Sequence, residues 1–136
     1  MTSISNGPMN IALSGLRAAE KRLQVSANNV ANSRSTVTTD ANGNQILKPY
    51  QPQEVVLSSQ ERGGVLSQVK DTDKEAVQTY EPGNPDADAN GIISIPNVDL
   101  AEELVKQFGA SVDYKANIKV IERQQVMLGA LIDRLA

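Results

Sequence analysis

The chain contains no cysteine, no histidine and no tryptophan. Those absences remove thiol and imidazole nucleophiles, imidazole bases and the common zinc ligands, leaving carboxylates, lysine, tyrosine and hydroxyls for any chemistry. The lack of thiols fits any redox compartment and does not choose one. Aromatic residues make up 3% of the chain and its 13 Lys and Arg are scattered, so no nucleic-acid partner is expected. No apolar run reaches the ~18 residues that a membrane span requires. Nor does the N-terminal stretch carry the basic-then-apolar pattern of a cleaved secretory signal, so neither membrane insertion nor such a signal is expected. Nothing in the sequence pairs a nucleophile with a base, so no enzyme, cofactor, metal or small-molecule substrate is expected either.

What is present is helical periodicity at both ends. With 136 residues, 40% of them apolar, and a net charge of −3, the composition suits one small domain or a stalk carrying a smaller module. In the last quarter, Leu100, Leu104, Tyr114, Ile118, Ile121, Leu128, Ile132 and Leu135 follow alternating steps of four and three, a heptad seam interrupted by Gln107, Ser111 and Gln125. A helix over that stretch would run ~55 Å, longer than a compact domain of this size needs. Near the N-terminus, Met9, Leu13, Leu16, Leu23, Ala27 and Val30 repeat the spacing, with Glu20 at one seam position and Pro8 suited to a first helical turn. The expected helix-pair seam is therefore Leu13, Leu16, Leu23 and Val30 against Leu104, Ile118, Ile121 and Leu128. A second apolar row, Val105, Phe108 and Val112, lies off that seam, and a helix apolar on two sides needs two neighbours. Asn28 and Asn32, four apart, either close a fraying helix or bond to a neighbouring chain.

Between the helices the pattern changes to short alternating runs bounded by Gly, Pro and Asn, which predicts strands and loops. Asn42-Gly43 offers one hairpin turn, and Glu54–Ser59 with Val65–Lys70 around Arg62-Gly63-Gly64 offers a better one. Tyr50 and Tyr80 are the expected packing anchors. Asp86, Asp88, Asn90 and Gly91 match the first half of a calcium-binding loop. The second half fails, because Asn97 stands where a bidentate Glu is wanted and Pro96 precedes it; the other reading is an Asx-rich turn leading into a strand over Ile92–Ile95. Asp99, with Glu102 three residues on, forms a capping-box pattern that starts the second helix. The expected fold is thus mainly α with a small β part: a stalk helix over 1–33, a β/loop module over 34–95 and a second stalk helix over 96–136, the two helices paired in a coiled-coil-like manner.

Two sets of these residues resemble a known family. Ser14-Gly15-Leu16-x-Ala18 and Arg22-Leu23-x-Val25-x-Ala27-Asn28-Asn29-Val30-Ala31-Asn32 resemble the N-terminal signature of the rod, hook and hook-associated proteins of the bacterial flagellum. Tyr80-x-Pro82-x-x-Pro85-Asp86-Ala87-Asp88, Gly91-Ile92-Ile93-x-Ile95-Pro96-Asn97-Val98-Asp99 and Tyr114-x-Ala116-Asn117 are similar to the short proximal-rod subunits of the FlgC type. The chain departs from that pattern with Val112-Asp113 in place of Arg-Ala, Ser35 in place of Thr, and Gln51 in place of Arg. The resemblance implies a structural subunit of the basal-body rod that assembles with itself and other rod subunits through its terminal helices. It also implies export by the flagellar type III apparatus to the periplasm-spanning rod, and adds Asn117 to Asn28, Asn32, Val105, Phe108 and Val112 as intersubunit candidates. A divergent paralogue of the same family and, from the residues alone, a soluble calcium-binding module at Asp86–Gly91 are the alternatives.

Overall fold

A computed structural model of the chain describes residues 7–36 and 50–135. Two long helices, α1 (Gly7–Asn32) and α2 (Leu100–Leu135), enclose four strands in chain order: β1 (Gln53–Ser59), β2 (Val65–Asp71), β3 (Val77–Tyr80) and β4 (Ile92–Ile95). Asn42-Gly43 lies outside the described residues. The chain is mainly α with a small β part, as the sequence pattern requires.

Local chemistry fixes the ends of each element. Pro8 sits in the first turn of α1, where its missing N–H removes no helical hydrogen bond. The Ser33 hydroxyl donates to the Val30 carbonyl at 2.8 Å and so satisfies one of the last open acceptors. At the start of α2, Asp99 Oδ1 accepts the N–H groups of Ala101 at 2.9 Å and Glu102 at 3.2 Å. Glu102 does not return the bond. It reaches Lys106 at 2.8 Å and Lys74 at 3.3 Å, so Asp99 caps alone and the reciprocal half of the capping box gives way to ion pairs.

β1 and β2 form an antiparallel hairpin, with Val55 opposite Val69 and Ser59 opposite Val65. Its turn needs Gly63 and Gly64, whose φ values of 83° and 90° lie in the region that side chains disfavour. β3 and β4 make a second antiparallel pair, Val77 opposite Ile95 and Tyr80 opposite Ile92. There the inward side chain is Ile93, whereas Tyr80 is 72% exposed, with one edge of its ring beside Gly91. Tyr50, half-buried, does anchor the module, through a hydrogen bond to α1.

The helices pair antiparallel, since Gly15 lies against Asn117 while Ser26 meets Glu103. Their contact line is not the leucine seam. It passes through Ala12, Gly15, Ala19, Arg22, Ser26 and Asn29 on α1, and through Glu103, Ala110, Asp113 and Asn117 on α2. Every position is one residue earlier than the heptad pattern gives, which turns each helix by ~100° about its axis. Leu23 and Leu104 are consequently exposed, Leu104 by 67%. Leu13, Leu16, Val30, Ile118, Ile121 and Leu128 are half-buried on the flanks. Small side chains explain the turn: a Cβ on Gly15 would fall 2.6 Å from Asn117 Oδ1, so the backbones approach more closely than leucines would permit.

Candidate assembly site

Prolines apart, the buried apolar side chains among the described residues are Ala12, Ala18, Ala19, Val25, Ile93 and Ala110, four of them alanines. Such a core removes little apolar area from water. The pairing is held instead by a polar node at Asn29, which is 1% exposed. Asn29 Oδ1 accepts the Tyr50 hydroxyl at 2.8 Å and the Gln53 N–H at 2.9 Å, and Asn29 Nδ2 donates to the Gln53 carbonyl at 2.8 Å and to Glu103 Oε1 at 3.3 Å. Ser26 Oγ donates to the Glu103 backbone carbonyl at 3.0 Å, and Lys106 approaches Glu103 Oε1 at 2.9 Å. One side-chain amide thus ties α1 to β1, to α2 and to the segment leading into β1.

Charge placement follows from this packing. Burial, then the carboxylates of Glu103 and Asp71, push the Tyr50 phenol above its usual value. Partial burial of Lys106 opposes its charge, but its hydrogen bonds to Glu102 and Glu103 outweigh that effect and raise its pKa. Hydrogen bonds from Lys106 and Lys74 hold Glu102 below the ordinary glutamate range. Arg22 and Asp113 bridge the two helices at 2.7 Å.

The second apolar row faces away from α1. Val105 is 73% exposed, Phe108 74% and Val112 51%. Asn28 is exposed, and Asn32 donates to the Asn28 carbonyl within its own helix at 2.9 Å. Asn117 donates to the Asp113 carbonyl at 2.8 Å and rests on Gly15 of the same chain, which places it inside the pair. Asn29, Tyr50 and Glu103 are not distinguished as a group by the sequence pattern, in which large apolar residues rank the helix faces. The signal that marks their side of α1 is the run of small and polar residues at 12, 15, 19, 22, 26 and 29.

The 86–91 segment is a closed turn. Asp88 Oδ1 accepts the N–H groups of Asn90 at 2.8 Å and Ile92 at 2.9 Å, Asp86 accepts the Thr36 hydroxyl, and Gly91 has φ 76°. The Ile92 N–H is the main reason that the Asp88 carboxyl lies below its usual range. Among the described residues no three acidic side chains gather as a metal ion would need. Buried Pro96 and exposed Asn97 then lead to the Asp99 cap.

The family described as flagellar basal body rod FlgEFG protein C-terminal matches residues 89–134, the end of this turn, β4 and nearly all of α2. Over 125 residues the chain is 39% identical to the flagellar basal-body rod protein FlgC of Salmonella typhimurium, covering 88% of this chain and 89% of that one. This chain belongs to the FlgC family of flagellar basal-body rod proteins. The FlgC of Agrobacterium fabrum is 34% identical over 131 residues, with 92% of this chain and 91% of that one covered. The FlgC of Bacillus subtilis is 30% identical over 138 residues, covering 88% and 91%. The matched spans take in both helices and the β module, so the Asn29 node and the exposed row of α2 lie within the family fold.

Proposed function

We propose that the chain is a structural subunit of the flagellar basal-body rod that joins its neighbours through the outer face of α2. Family membership supports the role, and the exposed row Val105, Phe108 and Val112 supports the surface. Burying each of these side chains contributes ~1.5–3 kcal/mol, whereas association costs roughly 4–15 kcal/mol in lost freedom. One such contact is marginal, so each subunit must touch several neighbours at once. The stalk then comprises residues 1–33 and 96–136, with 34–95 as the outer module. Export by the flagellar type III apparatus and a place in the periplasm-spanning rod follow from the family role.

The test is motility and basal-body assembly in cells whose only copy carries Phe108→Asp and Val112→Asp. Both side chains are exposed in the isolated chain, so the monomer should fold and leave the cell while rods fail to form. Normal swimming with intact basal bodies would remove the outer face of α2 from the assembly surface.

A further inference from the structure

The assembly role leaves the Asp86–Gly91 segment without a task, and its last two residues, Asn90-Gly91, are chemically labile. When glycine follows asparagine, its backbone nitrogen can attack the asparagine side-chain carbonyl carbon, because no Cβ stands beside that nitrogen to obstruct it. The bond from nitrogen to Cγ forms, the bond from Cγ to the side-chain nitrogen breaks, and ammonia leaves with the proton that the backbone nitrogen gives up. Water then opens the cyclic imide at either carbonyl. The product is aspartate, or an isoaspartate whose backbone runs through Cβ and is longer by one carbon.

Glycine at this position is required by the fold. Gly91 has φ 76°, and a Cβ there would lie 2.9 Å from Pro82 Cβ and 3.0 Å from Tyr80 Cε2. The turn therefore keeps a labile dipeptide, and its asparagine is exposed to water.

The attacking nitrogen, by contrast, is closed off. Gly91 is buried; its N–H donates to the Asp88 carbonyl at 2.9 Å, and its own carbonyl accepts the Glu81 N–H at 2.8 Å. The Asn90 N–H donates to Asp88 Oδ1 at 2.8 Å, so the peptide groups on both sides of Asn90 end on Asp88. Attack on Cγ would need the peptide between Asn90 and Gly91 to turn, which breaks the bonds to Asp88 and Glu81, and would need a base to reach a buried N–H.

We propose that Asn90 is a deamidation site gated by the Asp88 turn, intact while β3 and β4 are paired and open to imide formation wherever that turn is undone. Asp88 and Ile92 close the turn through the Asp88 N–H to the Ile92 carbonyl at 3.0 Å and the Ile92 N–H to Asp88 Oδ1 at 2.9 Å. An isoaspartate at 90 lengthens the backbone between those two residues, so the modified chain loses the turn that protected it and the gate works in one direction.

The full chain would be held for days in neutral buffer, folded in one sample and unfolded by urea in another. Peptide mass spectrometry reads the exchange of NH2 for OH and its position. Asn90 should react at least about tenfold more slowly in the folded chain, because reaction waits on local opening. Asp88→Ala, in a chain whose helices persist by circular dichroism, should move the folded rate toward the unfolded one. The native comparison needs no variant, so it decides the matter should Asp88→Ala disturb folding. Equal native rates with and without urea, or an intact Asn90 even in urea, would overturn the gated site, as would a folded Asp88→Ala chain that reacts as slowly as the native one.

Discussion

Asn29 and Gln53 hold each other in both directions: the Gln53 N–H donates to Asn29 Oδ1 at 2.9 Å, and Asn29 Nδ2 donates to the Gln53 carbonyl at 2.8 Å. A side-chain amide has the same donor and acceptor as a peptide group, so Asn29 acts toward β1 as one residue of a neighbouring strand would. It satisfies the outward backbone of Gln53 and fixes the start of the hairpin on α1. The other end of the hairpin is fixed by Ser14 Oγ, which accepts the Val65 N–H at 3.1 Å.

Asn29→Ala removes both halves of this exchange and leaves Tyr50 and Glu103 without their amide partner. Loss of a buried network of this kind should lower unfolding free energy by about 2–4 kcal/mol, read from urea denaturation of the purified chain. Asn28→Ala, one residue away but exposed, should stay within about 0.5 kcal/mol. Equal effects at the two positions would contradict the node.

Tyr50 makes the same node sensitive to alkali. Its phenol is raised by burial and by Glu103 and Asp71, so the folded chain prefers the protonated form. The stabilisation is complete below the ordinary tyrosine value, about pH 10, and is lost as pH rises through the higher folded value. Lys106, also raised, loses its contribution in the same direction. Tyr50→Phe should therefore flatten, without abolishing, the alkaline fall in stability measured by far-ultraviolet circular dichroism. A profile identical to that of the native chain would assign the fall to other groups.

Two glycines in the helices predict opposite outcomes. A methyl group on Gly129 would meet nothing within 4 Å, so Gly129→Ala should stabilise α2 by up to about 1 kcal/mol through helix propensity alone. Gly15→Ala gains the same propensity but drives a methyl into Asn117 at 2.6 Å, so that gain should be cancelled or reversed. Combining Gly15→Ala with Asn117→Ala should recover it. A double-mutant cycle by thermal denaturation measures the coupling.

The sequence makes the architecture legible because both terminal helices and the β1–β2 hairpin rest on local signals: heptad spacing, a capping aspartate, and a Gly-Gly turn between alternating runs. The contacting face is hidden for the opposite reason. Leu13, Leu16, Leu23 and Leu104 dominate any hydrophobic pattern, yet the closest approach uses Ala12, Gly15, Ala19 and Ser26, whose advantage is small size rather than apolarity. Asn29 is one of two adjacent asparagines, and only the ~100° turn of α1 decides which of them points inward. β3 is invisible to the pattern because Val77–Tyr80 has polar Gln78 and Thr79 at its centre, where the equally short Ile92–Ile95 has three isoleucines, and pairing with Ile92–Ile95 is what defines it.

The turn at Asp88 separates charge from hydrogen bonding in a single residue. Its carboxylate is held below the usual range chiefly by the Ile92 N–H, so its contribution is present above the ordinary aspartate value and lost as pH falls through the depressed one. Asp88→Asn keeps an oxygen acceptor but has no charge to titrate, whereas Asp88→Ala has neither. In the native chain the amide resonances of Asn90 and Ile92 should move on acidification below the ordinary aspartate range. In Asp88→Asn they should stay near their native positions at neutral pH and show no such movement, and in Asp88→Ala they should be displaced at every pH. Millimolar calcium should leave both amides in place in all three chains, because the oxygen that a cation would need already accepts two backbone N–H groups. A calcium-dependent shift confined to residues 86–91 would reopen the segment as a cation site; its absence, together with the acid titration, identifies Asp88 as the residue that folds the chain back from β3 into β4 and so delivers it to the start of α2.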